Sequence, residues 1–172
     1  MNHISFRIFV VLLLFNFFGC SSQTSSSYNL DLVTACERLV AFYPVPRDSI
    51  DGPTYGNMFT SDGEFVLRGV TTKGREKIVE QFLARTSRNT TRHVTGSINI
   101  TKLDETTATG TSYAMVFQSQ GSNKNKPHAL DGESLLAVVS YEDEFRFDGE
   151  QCFFSQRKVN IDFLNSQSNN EK

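Results

Sequence analysis

Apolar residues recur at intervals of three or four positions in two stretches of the chain. In residues 30–43 they are Leu32, Val33, Cys36, Leu39, Val40 and Tyr43. In residues 72–85 they are Ile78, Val79, Phe82 and Leu83, with charged residues between them. This spacing predicts two amphipathic helices, each with one apolar face. Pro44 and Pro46 should end the first helix, because proline lacks an N–H group and disfavours helix in the residue before it. Residues 47–58, rich in Asp, Gly and Pro, are predicted to form a loop with at most one short helical turn.

Alternation of apolar and polar residues predicts strands in the rest of the chain. In residues 91–100, Val94, Ile98 and Ile100 share one parity, and His93 lies on the other, more polar one. Further strands are predicted for residues 65–67, 107–118, 134–147 and 151–163, the last two joined by a hairpin at Asp148-Gly149. Helices that precede a run of antiparallel strands favour an α+β fold.

The first thirty residues are interpreted as a leader and a tether. Residues 8–18 are apolar except for Asn16, and eleven residues are too few for a bilayer core, which needs about 20. The run is typical of a signal peptide, residues 1–19, and Cys20 after Gly19 resembles the lipidated cysteine of a bacterial lipoprotein. Residues 20–29 then form a Ser-rich tether, residues 30–163 one domain, and residues 164–172 a disordered tail. The expected location is the cell envelope, through the lipid anchor; the alternative is a secreted protein with an ordinary signal peptide.

Composition narrows the function classes. The chain has 17 basic and 19 acidic residues, which does not match the basic surface of a nucleic-acid-binding protein. With three histidines and no Gly-rich phosphate loop, we expect neither a metal site nor a cofactor. Once Cys20 is assigned to the anchor, Cys36 and Cys152 remain. Export would allow them to form a disulfide, but two buried thiols are equally compatible with the sequence.

Several short motifs occur in a fixed order within the predicted domain. They are Met58-Phe-Thr-Ser-Asp-Gly-Glu-Phe, Gly74-Arg, Thr91-Arg-His-Val, Ala108-Thr-Gly-Thr-Ser-Tyr, Tyr141-Glu-Asp-Glu-Phe, Asp148-Gly and Gln156-Arg-Lys-Val. In order and spacing they resemble the nuclear transport factor 2-like superfamily, specifically its SnoaL-like branch. The resemblance implies a cone-shaped, curved antiparallel sheet packed against N-terminal helices (a cystatin-like roll). It also implies a pocket for a small hydrophobic molecule and, often, a homodimer across the sheet. Members include dehydratases, isomerases, polyketide cyclases and non-catalytic binding modules, so the fold alone does not define the function.

The family's scytalone dehydratase resembles the chain around Thr91-Arg-His-Val-Thr-Gly. His93 matches the first of that enzyme's two histidines, and the second falls at Ser112, which cannot titrate near neutral pH. A Tyr-Asp pair is expected near Tyr43, but Pro44 stands where the aspartate is wanted. An aspartate of the following loop, Asp48 or Asp51, could replace it only if that loop folds back.

The candidate functional residues follow from this resemblance and from strand parity. His93 is the candidate general acid or base, since histidine titrates near neutral pH; the alternative is a polar-face histidine bonded to a neighbouring strand. The candidate substrate-binding residues are Tyr43, Tyr113, Tyr141 and Asp143, of which the last two share a strand face. Arg157 is predicted to form a structural ion pair. We expect a cofactor-independent lyase or isomerase, with a non-catalytic ligand-binding or dimerisation module as the alternative.

Overall fold

The computed structural model describes residues 31–85, 89–120 and 134–165. Its helices are α1 (Leu32–Phe42), α2 (Pro44–Ser49), α3 (Gly52–Asn57) and α4 (Arg75–Arg85). Its strands are β1 (Phe59–Leu67), β2 (Val70–Lys73), β3 (Asn89–Lys102), β4 (Thr107–Gln120), β5 (Leu135–Phe147) and β6 (Cys152–Leu164). The predicted signal peptide, the tether with Cys20 and residues 166–172 of the predicted tail lie outside the described residues, whereas Leu164 still belongs to β6. Within the described residues, no helix has the length and apolar character needed to cross a bilayer.

Both predicted amphipathic helices are confirmed, as α1 and α4. The helix α1 begins after Asp31, whose carboxylate accepts a hydrogen bond from the backbone N–H of Thr34 at 3.0 Å. It ends before Pro44, as predicted, but the loop expected after it is wrong. Residues 44–49 and 52–57 are helical, because Pro44 and Pro53 lie in the first turns of α2 and α3, where a helix does not use the N–H group. Asp51 caps α3 by accepting from the N–H of Thr54 at 3.0 Å.

The six strands form one sheet in the order β2-β1-β6-β5-β4-β3. The four later strands pair antiparallel in succession, which confirms that part of the prediction. The predicted curved sheet packed against helices is confirmed, and among the described strands its one parallel pairing joins β1 to β6. This pairing is long-range, and local sequence patterns do not encode it. The sheet is curved and unclosed, with β2 and β3 as its edges.

A one-residue bulge interrupts β3. Gly96 pairs with Tyr113, whereas Asn99 pairs with Thr111, so β3 has one more residue than β4 over this interval. Ser97, within the bulge, has a φ of 50°, in the left-handed region. An extra residue in one strand reverses the alternation of side chains beyond it.

The bulge places His93 on the inner face of the sheet. Before the bulge, Val94 is 48% exposed on the outer face, and the side chain of His93 is only 7% exposed. After the bulge, Ile98 and Ile100 pack against the core on the inner face. The predicted parity, with Val94 on the face of Ile98 and His93 on the opposite one, is therefore wrong, because sequence parity assumes an unbroken strand.

The inner face of the sheet is covered by the helices and closed by aromatic rings. Phe59 of β1 and Phe154 of β6 are fully buried, with ring centroids 5.4 Å apart. Cys36 of α1 and Cys152 of β6 form a disulfide, with Cα atoms 5.0 Å apart. This pairing decides between the disulfide and the two free thiols that the sequence left open. It fastens α1 to the strand at the centre of the core.

Candidate functional site

The first polar contact of the inner face joins His93 to Asp48. The Nδ1 atom of His93 lies 2.6 Å from Oδ1 of Asp48, and the two side chains are 7% and 10% exposed. Asp48 belongs to α2, the helix that replaces the predicted loop. The segment after Tyr43 therefore does fold back, which was the condition for Asp48 to become the partner of His93. Asp51, the other candidate, caps α3 instead.

The edge position of β3 explains how one carboxylate can bind this strand so closely. Because β3 has no neighbour beyond it, its outward-facing N–H groups need other acceptors. Asp48 supplies one, as its Oδ2 accepts from the backbone N–H of His93 at 2.8 Å. Its Oδ1 also accepts from the hydroxyl of Thr91 at 3.0 Å. The carboxylate thus receives three contacts from β3 and is held in one orientation.

Electrostatics at this pair favour an ionised Asp48. Burial works to raise the pKa of Asp48, but the hydrogen bonds and charge of His93 and the hydrogen bond of Thr91 hold the pKa below its ordinary value. A carboxylate beside Nδ1 requires a proton on that nitrogen, since two lone pairs would repel. In the neutral imidazole, Nε2 then carries the lone pair. The arrangement gives His93 a base nitrogen whose partner nitrogen is fixed by Asp48.

A second buried acid–base pair crosses the same face. Arg157 of β6 donates from Nε and Nη2 to the two carboxylate oxygens of Asp143 on β5, each at 3.0 Å. The two residues face each other in the strand register, and both side chains are 1% exposed. The predicted structural ion pair of Arg157 is therefore confirmed, with Asp143 as its partner.

Aromatic rings surround the guanidinium of Arg157. Its Cζ atom lies 3.9 Å from the ring centre of Tyr43, 4.0 Å from that of Tyr141 and 4.2 Å from that of Phe154. Cation–π contacts of this kind stabilise a charge that has left water. Burial nevertheless raises the pKa of Asp143 to about 6, although Arg157 opposes the rise. Burial also opposes the charge of Arg157, but Asp143 keeps the pKa of the guanidinium above its ordinary value.

Tyr43 connects the two pairs. Its ring packs edge-on against that of His93, with centroids 6.4 Å apart, and lies 5.8 Å from the ring of Tyr141. Burial raises the pKa of Tyr141, and burial together with Tyr43 raises that of Tyr55 well above its ordinary value. The hydroxyls of Tyr55 and Tyr141 therefore stay protonated and can donate hydrogen bonds, but they are poor bases.

The predicted site residues divide into two groups. Tyr43, Tyr141 and Asp143 are buried on the inner face beside the half-buried His93, and Tyr141 and Asp143 share one strand face as predicted. Tyr113 is 54% exposed and lies opposite Gly96 on the outer face. The structure therefore brings four of the five residues together and places Tyr113 elsewhere.

Two buried polar atoms near these pairs have no hydrogen-bond partner. They are Nη1 of Arg157 and the hydroxyl oxygen of Ser112, which stands where the resemblance places a second histidine. Ser112 is 1% exposed and pairs in register with Tyr141. The position of the second histidine therefore contributes no titratable group to the site.

Cavities near these residues are small, and a larger groove lies on the other face. A cavity of about 30 Å³, bounded by Arg47, Tyr55 and Phe82 among others, has room for one or two water molecules. A groove of about 300 Å³ runs along the outer face, and it is lined by Asn99, Thr101, Thr109, Gly110, Thr111, Glu142, Asp143, Glu144 and Gln156. His93 is not part of either lining. Across the described ranges, no group of three His, Cys, Asp or Glu side chains is arranged to hold a metal ion.

Sequence reasoning found His93 but assigned its partner only conditionally. Asp48 lies in a Pro-rich segment that was predicted as a loop but forms two short helices. The Tyr-Asp pair that the resemblance implies was the signal that could have identified Asp48, because it required a carboxylate soon after Tyr43. Thr91 was not identified at all, although it is two residues from His93 and on the same strand face.

Comparisons with known proteins agree with this architecture. The model of a family described as the SnoaL-like domain matches residues 29–158. No curated protein sequence matches the chain. A structure from Novosphingobium aromaticivorans DSM 12444, provisionally assigned as a scytalone dehydratase, is 19% identical, with a TM-score of 0.62 over 76% of this chain and 84% of that one.

Two further solved structures extend the comparison. ActVI-ORFA from Streptomyces coelicolor is 18% identical, with a TM-score of 0.59 over 74% of this chain and 95% of that one. A type 2 hexachlorocyclohexane dehydrochlorinase, LinA, is 13% identical, with a TM-score of 0.61 over 76% and 85% of the two chains. At these identities the likeness establishes a shared fold.

Proposed function

The chain belongs to the SnoaL-like domain family, and we propose that it is a proton-transfer enzyme in which His93, oriented by Asp48, removes a proton from carbon in a small hydrophobic substrate. The observation that carries this proposal is the 2.6 Å contact between Nδ1 of His93 and Oδ1 of Asp48, whose side chains are 7% and 10% exposed. A histidine held in this way is suited to general base catalysis.

The proposed reaction begins when Nε2 of His93 takes the proton and the C–H electron pair forms a carbon–carbon double bond. In an elimination, a leaving group on the adjacent carbon departs with its bonding electrons. If that group is hydroxide, the imidazolium returns the proton to it and water is released. In an isomerisation, the new double bond displaces the π electrons of an adjacent double bond, and the carbon at the far end of that bond takes the proton back from the imidazolium. Neither route needs a cofactor, so the proposed class is a cofactor-independent lyase or isomerase.

The residues around His93 would have different roles in this reaction. Tyr43 packs against the imidazole and, with Tyr141, would orient an apolar substrate. Asp143 is fully engaged with Arg157, so we assign this pair to holding the inner face together rather than to binding. Two of the structurally similar proteins bear the names of elimination enzymes, a dehydratase and a dehydrochlorinase, which favours elimination over isomerisation.

The test is a proton-abstraction assay in heavy water. A panel of small hydrophobic compounds, each with an acidic C–H bond or a β-leaving group, is incubated with the protein, and mass spectrometry follows deuterium uptake and loss of the leaving group. Replacement of His93 by Gln should lower the rate at least about a hundredfold, the low end for a general base. Arg92→Gln, an exposed neighbour on the same strand, is the control and should retain the rate. An unchanged rate in the His93 variant would refute the proposal.

The rival function is a non-catalytic ligand-binding module. The observation that favours it is Ser112 at the position of a second histidine, where it leaves the site with one histidine. A hydrophobic ligand that co-purifies unaltered, with no deuterium exchange in it or its analogues, would support this rival.

We propose further that the domain is exported and tethered to a membrane through lipidated Cys20. The disulfide between Cys36 and Cys152 supports export, since disulfides persist in oxidising compartments. Replacement of Cys20 by Ser should release the protein from the membrane fraction and abolish labelling with palmitate. Retention of the label would contradict lipidation. Release of the unaltered protein into the medium would instead support secretion.

A homodimer across the sheet is the assembly we propose. Val94, Met115, Val138 and Phe163 lie side by side on four neighbouring strands, in direct register, and form the outer apolar row. Phe163 is 72% exposed, Val94 48% and Met115 43%. An uncharged row across the sheet face is suited to packing against the same row of a second copy. Such a contact brings no like charges together and buries no charged side chain.

Sedimentation tests this assembly. Met115→Glu with Phe163→Asp should convert a dimer into a monomer, because the pair would place four carboxylates in the contact. Val70→Asp is the matched control, since Val70 is 59% exposed on β2, at the far edge of the sheet. A wild-type protein that sediments as a monomer, or a double variant that still dimerises, would contradict the proposal.

A further inference from the structure

We infer that Thr91 is a positioning residue of the candidate site. Its hydroxyl holds the Asp48 carboxylate in place, and that carboxylate in turn fixes the imidazole of His93. This inference rests on the proposed function, in which His93 is the base. It concerns the side chain next to the pair rather than the pair itself. Its argument depends on which oxygen each donor reaches.

The hydrogen bonds from β3 divide the two oxygens of Asp48 between them. The hydroxyl of Thr91 donates to Oδ1 at 3.0 Å, and the imidazole Nδ1 contacts the same oxygen at 2.6 Å. The backbone N–H of His93 donates to Oδ2 at 2.8 Å. With donors at both oxygens, rotation of the carboxylate about its bond to Cβ would break at least two hydrogen bonds. Thr91 supplies the one contact among these that is independent of His93.

The hydroxyl of Thr91 can act only as a donor toward an ionised carboxylate. Donation to a charged acceptor is stronger than donation to a neutral one, so the hydroxyl also favours the charged form of Asp48. This agrees with the pKa of Asp48, which burial works to raise but which the contacts of His93, and then the hydrogen bond of Thr91, hold below its ordinary value. Loss of the hydroxyl should therefore both loosen the carboxylate and make it easier to protonate.

Among the described residues, the side chain of Asp48 receives its hydrogen bonds from His93 and Thr91. From β3 it meets His93 and Thr91, and its neighbour on α2 is Arg47, whose guanidinium lies over the ring of Phe82, 4.9 Å from its centre. Tyr43, at the start of α2, packs against the imidazole. A variant without the hydroxyl should therefore show its effect at Asp48 directly.

The test measures the carboxyl group of Asp48 by carbon NMR during a pH titration of isotope-labelled protein. Thr91→Val should shift the pKa of Asp48 upward, and Thr91→Ser, which keeps a hydroxyl, should hold it at the wild-type value. Thr95→Val, on the same strand and face, is the matched control and should leave it unchanged. Once a substrate is found, Thr91→Val should lower kcat about fivefold, the effect of one ordinary hydrogen bond, with KM retained.

Each result supports or overturns the inference separately from the proposed function. A Thr91→Val protein that is folded, with the pKa of Asp48 unchanged, would overturn it and leave Thr91 a structural role at most. If Thr91→Val does not fold, the Ser variant decides, since a wild-type pKa there and a raised one in Thr91→Ala would sustain the inference. If His93→Gln does not slow turnover, the proposal that His93 is the general base is refuted, whereas the result of the Asp48 titration still stands.

Discussion

The inner face of the sheet carries two buried acid–base pairs that differ in what their basic partner can do. In the first, Asp48 holds His93, whose imidazole can gain and lose a proton. In the second, Asp143 holds Arg157, whose guanidinium stays charged and is enclosed by three rings. The first pair spans a helix and an edge strand, whereas the second joins two neighbouring strands at the centre of the sheet.

In the proposed function, the first pair takes part in proton transfer and the second holds the core together. A pair that must move protons needs a titratable member, and His93 is one. A pair that holds strands together is best made from a permanent charge and a bidentate partner. The predictions below test this division, from the largest expected effect to the smallest.

Loss of Asp143 should produce the largest change. Asp143→Ala leaves the Arg157 charge buried without its partner, which costs about 3–5 kcal/mol in unfolding free energy. The exposed Glu142→Ala, which removes a pair with Lys158, should cost less than about 1 kcal/mol. Urea unfolding of both variants measures the difference. The double variant Asp143→Leu with Arg157→Met should recover most of the loss; equal costs for the two alanine variants would remove the structural role assigned to the pair.

Loss of the disulfide should have the second-largest effect on stability. Cys36 and Cys152 are 116 residues apart in sequence, and removing a bridge of this kind typically costs about 2–5 kcal/mol. Cys36→Ala with Cys152→Ala should therefore lower the urea midpoint, with the contact between α2 and β3 retained because neither cysteine belongs to them. A midpoint that is the same in the double variant as in the wild type would show that α1 is held to β6 by packing alone.

The sequence predicted the parts of this fold that depend on local patterns. Both long helices and the four antiparallel strands follow from periodicity, because each buries one face of a regular element. The parallel pairing of β1 with β6 and the bulge at Ser97 depend on distant partners, which parity cannot show. The strand face predicted for His93 was wrong for that reason.

The site was predictable to the extent that its residues lie on regular strands. Tyr141 and Asp143 were placed together because side chains two apart share a face. Tyr113 was grouped with them, yet the register puts it on the outer face. Asp48 required knowing that Pro44 begins a helix rather than a loop, which only packing of α2 against β3 decides.

Removal of the charge on Asp48 should have a smaller effect on stability. Asp48→Asn loses charge-assisted hydrogen bonds and should lower the unfolding free energy by about 2 kcal/mol at neutral pH. Because folding lowers the pKa of Asp48 below 3.8, the stability that it contributes is present above that value and is lost as pH falls through the lowered pKa. The gap between wild type and variant should therefore close in acid. A gap that persists unchanged would mean that the carboxylate charge contributes nothing.

Asp143 should show the opposite dependence on pH. Folding raises its pKa from 3.8 to about 6, so between these values the folded state binds a proton more tightly than the unfolded chain does. The unfolding free energy of the wild type, relative to Asp143→Asn, should thus decrease as pH rises through this window and be constant above it. Chemical unfolding at several pH values measures this slope. A rise over the same window would contradict the assigned effect of burial.

The most direct test of the central claim is the tautomer of His93. Nitrogen NMR of isotope-labelled protein, at a pH where the imidazole is neutral, reports which ring nitrogen carries the proton. The 2.6 Å contact with Asp48 predicts that Nδ1 is protonated and that Nε2 is the bare nitrogen. Asp48→Asn should weaken this preference. A wild-type spectrum with the proton on Nε2 and a bare Nδ1 would contradict the account, because His93 would then have no base nitrogen to offer a substrate.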